Sequence, residues 1–316
     1  MSEVFSKPPK EGESWDVIII GSGPAAFTAG IYTTRGALST LIFAGEKWGG
    51  QLMNTTLVDN FPGFPEGILG PELMGNMRKQ VERFGARIEN KSVTDVNFSQ
   101  KPFEVFVEKE KYLSRSVIIA TGALTKWLGV KGEEKLVGRG ISTCAPCDAP
   151  FFKDKKVAVV GGGDSAMEEA HILTKYAKEV LLIHRRNEFK ATEAMQGKVL
   201  NNPKINILWD TEATEVFGDN KLEKIRIKNS KTQKEEEINL DGLFVAIGHK
   251  PDSDIFKGKL NMDDKGYILP NFHCATSIKG VFVAGDVLDK DFKQAVVAAG
   301  AGCIAAMEAM KYLDES

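Results

Sequence analysis

The chain has 316 residues, 42% of them hydrophobic and 27% charged, with a formal net charge of −2. That length exceeds one ordinary core, so two domains are expected, and the near-neutral charge excludes a nucleic-acid binder that works by neutralising phosphates. No apolar run reaches the roughly 18 residues needed to span a bilayer, so no membrane association is expected.

The opening MSEVFSKPPKEGES is polar and lacks the apolar core of an export signal. It reads as a short flexible lead-in. Four cysteines are too few for a disulfide framework in a chain of this size. The expectation is a cytoplasmic protein, where a Cys-x-x-Cys pair is more often catalytic or metal-binding than structural.

Asp16-Val17-Ile18-Ile19-Ile20 is a nearly continuous apolar, β-branched run, the pattern of a strand buried on both faces. It enters Gly21-Ser22-Gly23-Pro24-Ala25-Ala26, a G-x-G-x-x-A turn, and a helical stretch follows to Arg35. Ser39–Phe43 reads as the next strand. Such a turn lets the backbone approach a pyrophosphate, which the helix start then favours. Glu46 stands where an acidic ribose partner is expected. A loop-rich stretch spans Gly49–Leu52 and Asp59–Pro65. A helix is predicted around Gly70 to Phe84, then strands near Phe103–Val107 and Ser116–Ile119, the last ending in the small-residue turn Ala120-Thr121-Gly122-Ala123.

The plan then repeats. Lys156–Val160 is a strand, Gly161-Gly162-Gly163-Asp164-Ser165-Ala166 is a second G-x-G-x-x-A, and a helix is predicted from Ala166 to about Ala177. Val180–Ile183 and Gly242–Ala246 are further strands, and the charged 228–237 run fits a solvated hairpin. Gly280–Asp286 returns to the pattern of the first domain, with an Ala-rich helix from Lys293 to Leu313. The reading is an α/β protein of two Rossmann-like dinucleotide-binding domains, one inserted into the other. The expected limits are 1–125 and 251–316 for the discontinuous domain and 126–250 for the inserted one. The two crossings, near 124–128 and 249–253, would form a hinge.

The two loops differ in charge. His184-Arg185-Arg186 follows the second strand of the inserted domain, with Lys190 close behind. Arginine there favours a 2′-phosphate, because its planar fork binds phosphate oxygens bidentately. This predicts NADPH. The first loop has only the mixed Gly45-Glu46-Lys47, which suits a dinucleotide without that phosphate, such as FAD. Asp286 follows a strand end and fits either a flavin ribityl contact or a helix N-cap.

Between the two loops lies Cys144-Ala145-Pro146-Cys147-Asp148. Alone, Cys-x-x-Cys is equally half a zinc site. Between two dinucleotide loops it suggests electrons passing from a nicotinamide through a flavin to a disulfide. Asp148 would then be the acid/base group, or a helix N-cap. The four histidines, His171, His184, His249 and His273, show no metal-ligand spacing. Cys303, in the Ala-rich helix, reads as a small core residue.

With GSGPAA at 21–26, GGQL at 49–52, NFPGFP at 60–65, ATGA at 120–123, CAPCD at 144–148, GGGDSA at 161–166, HRR at 184–186, AIGHKP at 246–251 and AGD at 284–286, the chain resembles the low-molecular-weight thioredoxin reductases from Val17 to about Ala309. The resemblance implies an FAD domain in two segments, an inserted NADPH domain bearing the dithiol, a homodimer, and thioredoxin as substrate. It carries Ser22, Gly23, Pro24, Ala25, Gln51, Asn60, Asp286, Gln294 and Ala295 to FAD, with Glu46, Thr121, Gly122, Gly285 and Lys293 beside them. It carries Gly163, Asp164, Ser165, Ala166, His184, Arg185, Arg186 and Lys190 to NADPH. Catalysis falls to Cys144, Cys147 and Asp148, with Cys147 nearer the flavin and the inserted domain rotating between half-reactions. Arg139-Gly140 is a candidate thioredoxin contact or a plain surface turn. Ala145-Pro146, Ala149-Pro150, Lys190 and Lys293 depart from the usual pattern. The two lysines stand where arginine is usual and give up its bidentate geometry. The alternatives are a related flavoenzyme with another disulfide or dithiol partner, and a non-enzymatic NADPH-binding regulator with an intersubunit zinc.

Overall fold

The computed structural model describes residues 6–10 and 12–316. The opening segment read as a lead-in lies partly outside the described residues. The chain divides into two compact units: residues 1–124 with 250–316, and residues 125–249.

The first unit begins with β1 (Trp15–Ile20), α1 (Pro24–Arg35) and β2 (Thr40–Phe43). Proline at the head of α1 costs no hydrogen bond, since an N–H there has no partner within the helix. A 3-10 turn at Gly50–Asn54 and the short hairpin β3 (Leu57–Val58) and β4 (Ile68–Leu69) lead into α2 (Gly70–Arg83). Then come β5 (Arg87–Glu89), β6 (Asp95–Asn97), β7 (Phe103–Val107), β8 (Glu110–Ile119) and β9 (Ala123–Thr125).

The second unit holds α3 (Glu133–Leu136), β10 (Ile141–Ser142), α4 (Ala145–Asp148), β11 (Lys156–Gly161), α5 (Asp164–Leu173), β12 (Glu179–Ile183), α6 (Glu193–Leu200), β13 (Ile205–Leu208), β14 (Thr211–Phe217), β15 (Lys224–Asn229), β16 (Glu235–Asn239) and β17 (Gly242–Ala246). The chain crosses back through β18 (His249–Pro251), which pairs with β9, and ends in β19 (Val281–Val283) and α7 (Ala295–Asp314).

The sheet of the first unit runs β5-β2-β1-β8-β7-β6. Strand β8 is long enough to serve two neighbours. Its first half pairs antiparallel with β7, and Val117, Ile118 and Ile119 in its second half pair in parallel with Val281, Phe282 and Val283 of β19. The returning segment is thereby built into the sheet it left. Side chains alternate faces along a strand. Val17 and Ile19 enter a core closed by α1, α2 and α7, while Ile18 and Ile20 enter a second core on the opposite face.

The second unit has an all-parallel sheet, β10-β17-β11-β12-β13, and a separate antiparallel sheet, β14-β15-β16. Here Val157 and Val159 face α5 and α6, and Ala158 and Val160 face the other core with Ile225 and Leu243. Burial on both faces explains the unbroken apolar runs. The charged 228–237 run lies on the β15–β16 hairpin, with Arg226 bridging Glu215 and Glu237.

Two sequence expectations need correction. The helix after the second glycine loop forms over Asp164–Leu173 rather than 166–177. Cys303 is not a core residue. It is partly exposed on α7, its sulfur 3.9 Å from that of Met307. Helix α7 has the length and apolar composition of a bilayer span, with a mean hydropathy of 1.4, but Glu308 and Lys311 interrupt its apolar run. Its buried side is Ala298, Gly302, Ala305, Ala306 and Ala309, packed on α1. A Cβ at Gly302 would lie 2.1 Å from the Ala25 carbonyl oxygen, so the two helices touch backbone to backbone.

Candidate active site

In the first unit the β1–α1 turn is closed below and open above. Gly21 has φ +126°, and a Cβ there would lie 2.1 Å from the carbonyl oxygen of Ala120, so only glycine fits. Ser22 is buried. Its hydroxyl donates to the Ala44 carbonyl at 2.7 Å and accepts the Gly49 N–H at 2.9 Å, tying the turn to the GGQL loop. Gly23 is the N-cap of α1, Pro24 its first residue, and Ala25 packs against Gly285. A Cβ on Gly23 would meet nothing within 4 Å, so the outer side of the turn is free for a ligand.

Around this turn, Gln51 donates to the Ala123 carbonyl at 3.1 Å, and Asn60 donates to the Gln294 side chain at 3.3 Å. The Thr121 hydroxyl donates to the Asp252 carbonyl at 2.5 Å, beside Gly122 in its left-handed conformation. Lys293 also has positive φ, Gln294 caps α7, and Ala295 opens it. Asp286 lies in the turn after β19 and supplies no N-cap bond. Burial pushes its carboxyl up to about 6, Asp289 adding to the shift and Lys293 opposing it. A desolvated carboxyl at this place suits hydroxyl donors from a ligand. Glu46 is exposed in the loop after β2. A glycine turn at a helix start with a desolvated carboxyl beside it fits a dinucleotide bearing hydroxyls.

The second unit has a cleft of about 640 Å³ lined by Gly161, Gly162, Gly163, Ser165, His184, Arg185, Arg186, Lys190 and, from later strands, Thr211, Glu212, Ala246 and Ile247. Arg185, Arg186 and Lys190 are exposed and have no ion-pair partner among the described residues. Unpaired cations at a cleft mouth, above a glycine turn, form an anion site.

His184 is held beneath the loop. Its Nε2 lies 2.8 Å from the Glu188 carbonyl, and a Cβ on Gly162 would fall 2.1 Å from the imidazole. The Lys190 N–H donates to the Gly162 carbonyl at 2.8 Å, so the 184–190 segment grips the glycine loop directly. Asp164 spends its carboxylate on the N–H and hydroxyl of Thr192, at 2.7 and 3.1 Å. Ala166 is fully buried under Gly161. Sequence reasoning missed Lys126, which also lines this cleft. It precedes the glycine loop by a long stretch of chain, and no motif marks it.

The redox pair stands in the same unit. Cys144 and Cys147 are joined in a disulfide, their Cα atoms 5.3 Å apart. The turn forms because the N–H groups of Cys147 and Asp148 both donate to the Cys144 carbonyl, at 3.2 and 3.1 Å. Ser142 anchors it by accepting the Cys144 N–H at 3.1 Å. Asp148 is the last residue of α4 and makes no side-chain cap. Burial raises its carboxyl above the usual range, and the Ser142 hydroxyl partly offsets this. A carboxyl that keeps its proton more readily, one residue from a sulfur, can protonate a departing thiolate. Cys274, by contrast, is buried, pushed up to about 11 chiefly by burial, and donates to the Ala301 carbonyl at 3.4 Å. Among the described residues no cluster could hold a metal ion.

The family model for pyridine nucleotide-disulphide oxidoreductases matches residues 15–302. A thioredoxin reductase of Mycolicibacterium smegmatis is 48% identical, covering 95% of this chain and 97% of its own. One from Dictyostelium discoideum is 46% identical, covering 94% and 97%. Among solved structures, thioredoxin reductase from Giardia duodenalis superposes with a TM-score of 0.91 at 42% identity, covering 96% of this chain and 99% of its own. That from Streptococcus pyogenes gives 0.92 at 38%, with the same coverage. The chain belongs to the pyridine nucleotide-disulphide oxidoreductase family, enzymes that couple a flavin and a pyridine nucleotide to a disulfide. Within that family it groups with the low-molecular-weight thioredoxin reductases.

Proposed function

We propose that this enzyme reduces the disulfide of thioredoxin at the expense of NADPH, with FAD in the first unit and NADPH in the second. The observation that carries the reading is the Cys144–Cys147 disulfide, set beside the carboxyl of Asp148, in the unit whose cleft presents Arg185, Arg186 and Lys190. FAD would be held by Ser22, Gly23, Pro24, Ala25, Gln51, Asn60, Asp286, Gln294 and Ala295. The nicotinamide dinucleotide would be held by Gly163, Ser165, Arg185, Arg186 and Lys190, with His184 bracing the loop. When bound, the two cofactors supply two electrons at the potential needed to reduce a disulfide.

The protein's own part is sulfur chemistry. Two electrons break the S–S bond, and Asp148 gives its proton to one of the two thiolates. The remaining thiolate attacks a sulfur of the partner disulfide and expels the partner's other sulfur, leaving a mixed disulfide. The second cysteine then attacks its neighbour, restores Cys144–Cys147, and expels the partner's second sulfur, both partner thiolates taking their protons from solvent. Asp148 recovers its proton from that second thiol. A bulky partner needs the pair exposed, so the second unit turns about its two crossings between half-reactions.

We infer a homodimer, a reading supported by the outer faces of α1 and α7, which expose Tyr32, Ile304 and Met307. Apolar groups grouped on two packed helices favour a partner surface. The cytoplasm, where NADPH and thioredoxin meet, is the compartment we assign.

Titrating the purified flavoprotein with NADPH should bleach its yellow colour, and oxidised thioredoxin should restore it. Cys147→Ser should still bleach, yet lose thioredoxin reduction by about a thousandfold or more. Thioredoxin reduction at an unaltered rate in that variant would remove the proposal. Bleaching without reoxidation by thioredoxin would point to another disulfide partner.

A further inference from the structure

A carboxyl that no motif marks lies against the redox turn. Glu169 sits on α5, which packs against α4. It takes a hydrogen bond from the N–H of Ala145, the residue between Cys144 and Pro146. Its Oε2 is sealed from solvent and has no hydrogen-bond partner. A carboxylate oxygen sealed in this way is costly as an anion. Burial is the main cause that pushes Glu169 up to about 8. The charges of Glu168, on its own helix, and Asp148, on α4, add to the shift, and the Ala145 N–H opposes it. No basic side chain is among the groups acting on it.

We propose that Glu169 is a positioning residue for the redox pair: it clamps the Ala145 amide between the two cysteines, and its own protonation sets how readily their thiols ionise. The proposal rests on Cys144 and Cys147 being the redox pair. At neutral pH the clamp is uncharged, and Asp148 is the one carboxyl that exchanges protons with sulfur. As pH rises through about 8 Glu169 becomes an anion beneath the turn. A like charge there raises the thiol pKa and lowers the fraction of attacking thiolate.

The test is iodoacetamide alkylation of the reduced protein as a function of pH, in a Cys303→Ser background that removes the one partly exposed free thiol. Glu169→Gln keeps an acceptor for Ala145 and cannot ionise. Above about pH 8 the Gln protein should alkylate faster than its parent by roughly three- to tenfold, and near neutrality the two should agree. Superimposable profiles would overturn the proposal, because a purely structural clamp predicts them. Should the Gln protein not fold, infrared titration of Asp148→Asn decides. A protonated-carboxyl stretch persisting to about pH 8 supports the assignment, and its loss by about pH 6 overturns it. A parent enzyme whose pair stays oxidised under NADPH would instead refute the redox reading, whatever Glu169 does.

Discussion

Gly21 and Gly161 hold equivalent places, each at the end of a buried strand and two residues before the N-cap of a helix, Gly23 or Gly163. The surroundings are not equivalent. The first turn is completed by a half-buried acid, Asp286, and its neighbouring strand end carries exposed Glu46 and Lys47. The second is completed by His184, Arg185, Arg186 and Lys190. One backbone device therefore recurs in two different charge environments, which in the proposed function select FAD at one turn and NADPH at the other. The backbones differ as well. Gly21 needs a conformation closed to other residues, whereas Gly161 lies within β11 and is excluded by crowding alone.

That last contrast can be broken by adding one methyl group to each turn. Gly21→Ala meets both a forbidden φ and the Ala120 carbonyl at 2.1 Å. It should lower the melting temperature of the flavin-free protein by more than about 5 °C, since such strain costs of the order of 2 kcal/mol or more. Gly161→Ala meets the Ala246 carbonyl at 2.4 Å and the Ala166 Cβ at 2.6 Å, with an ordinary backbone, and should cost less. Equal losses would show that crowding, not conformation, governs both turns. The charge contrast is sharpened by Arg185→Ala/Arg186→Ala. The KM for NADPH should rise roughly tenfold to a hundredfold while that for NADH stays near the parent value, as expected for losing charge-assisted phosphate contacts. An equal rise for both cofactors would mean the arginines read something other than the extra phosphate.

Much of this frame was legible before any coordinates. Apolar β-branched runs running into G-x-G-x-x-A can be satisfied by few folds, and the return of the chain at Val281–Val283 announced the insertion. What stayed hidden was contact between residues far apart in sequence. Nothing in the string shows that His184 seals Gly162, that Asp164 spends its carboxylate on Thr192, or that Lys126 reaches the cleft. No motif marks Glu169, because burial against α4 depends on packing that no local period encodes. Cys303 misled for the converse reason. An Ala/Gly-rich helix reads as buried all round, but only one side of α7 is buried against α1, and Cys303 lies at its margin, partly exposed beside Tyr32 of α1.

The smallest effect separates the two sites by pH. Asp286 keeps its proton up to about 6 in the folded, flavin-free protein, against 3.8 for the ordinary side chain. Between those values the unfolded chain has shed a proton that the folded chain still binds. Stability therefore falls as pH rises through that window and levels off above it. Asp286→Asn has no such proton to hold. Without flavin it should melt higher than the parent above about pH 6, and the advantage should vanish below about pH 4. With flavin the order should reverse, because a carboxylate accepts hydroxyl hydrogen bonds more strongly than an amide does. Thermal melts of both proteins across this range, with and without FAD, read the sign directly. Parallel curves without flavin would mean the carboxyl is already ionised and well solvated, and the acidic character assigned to the first site would rest on position alone.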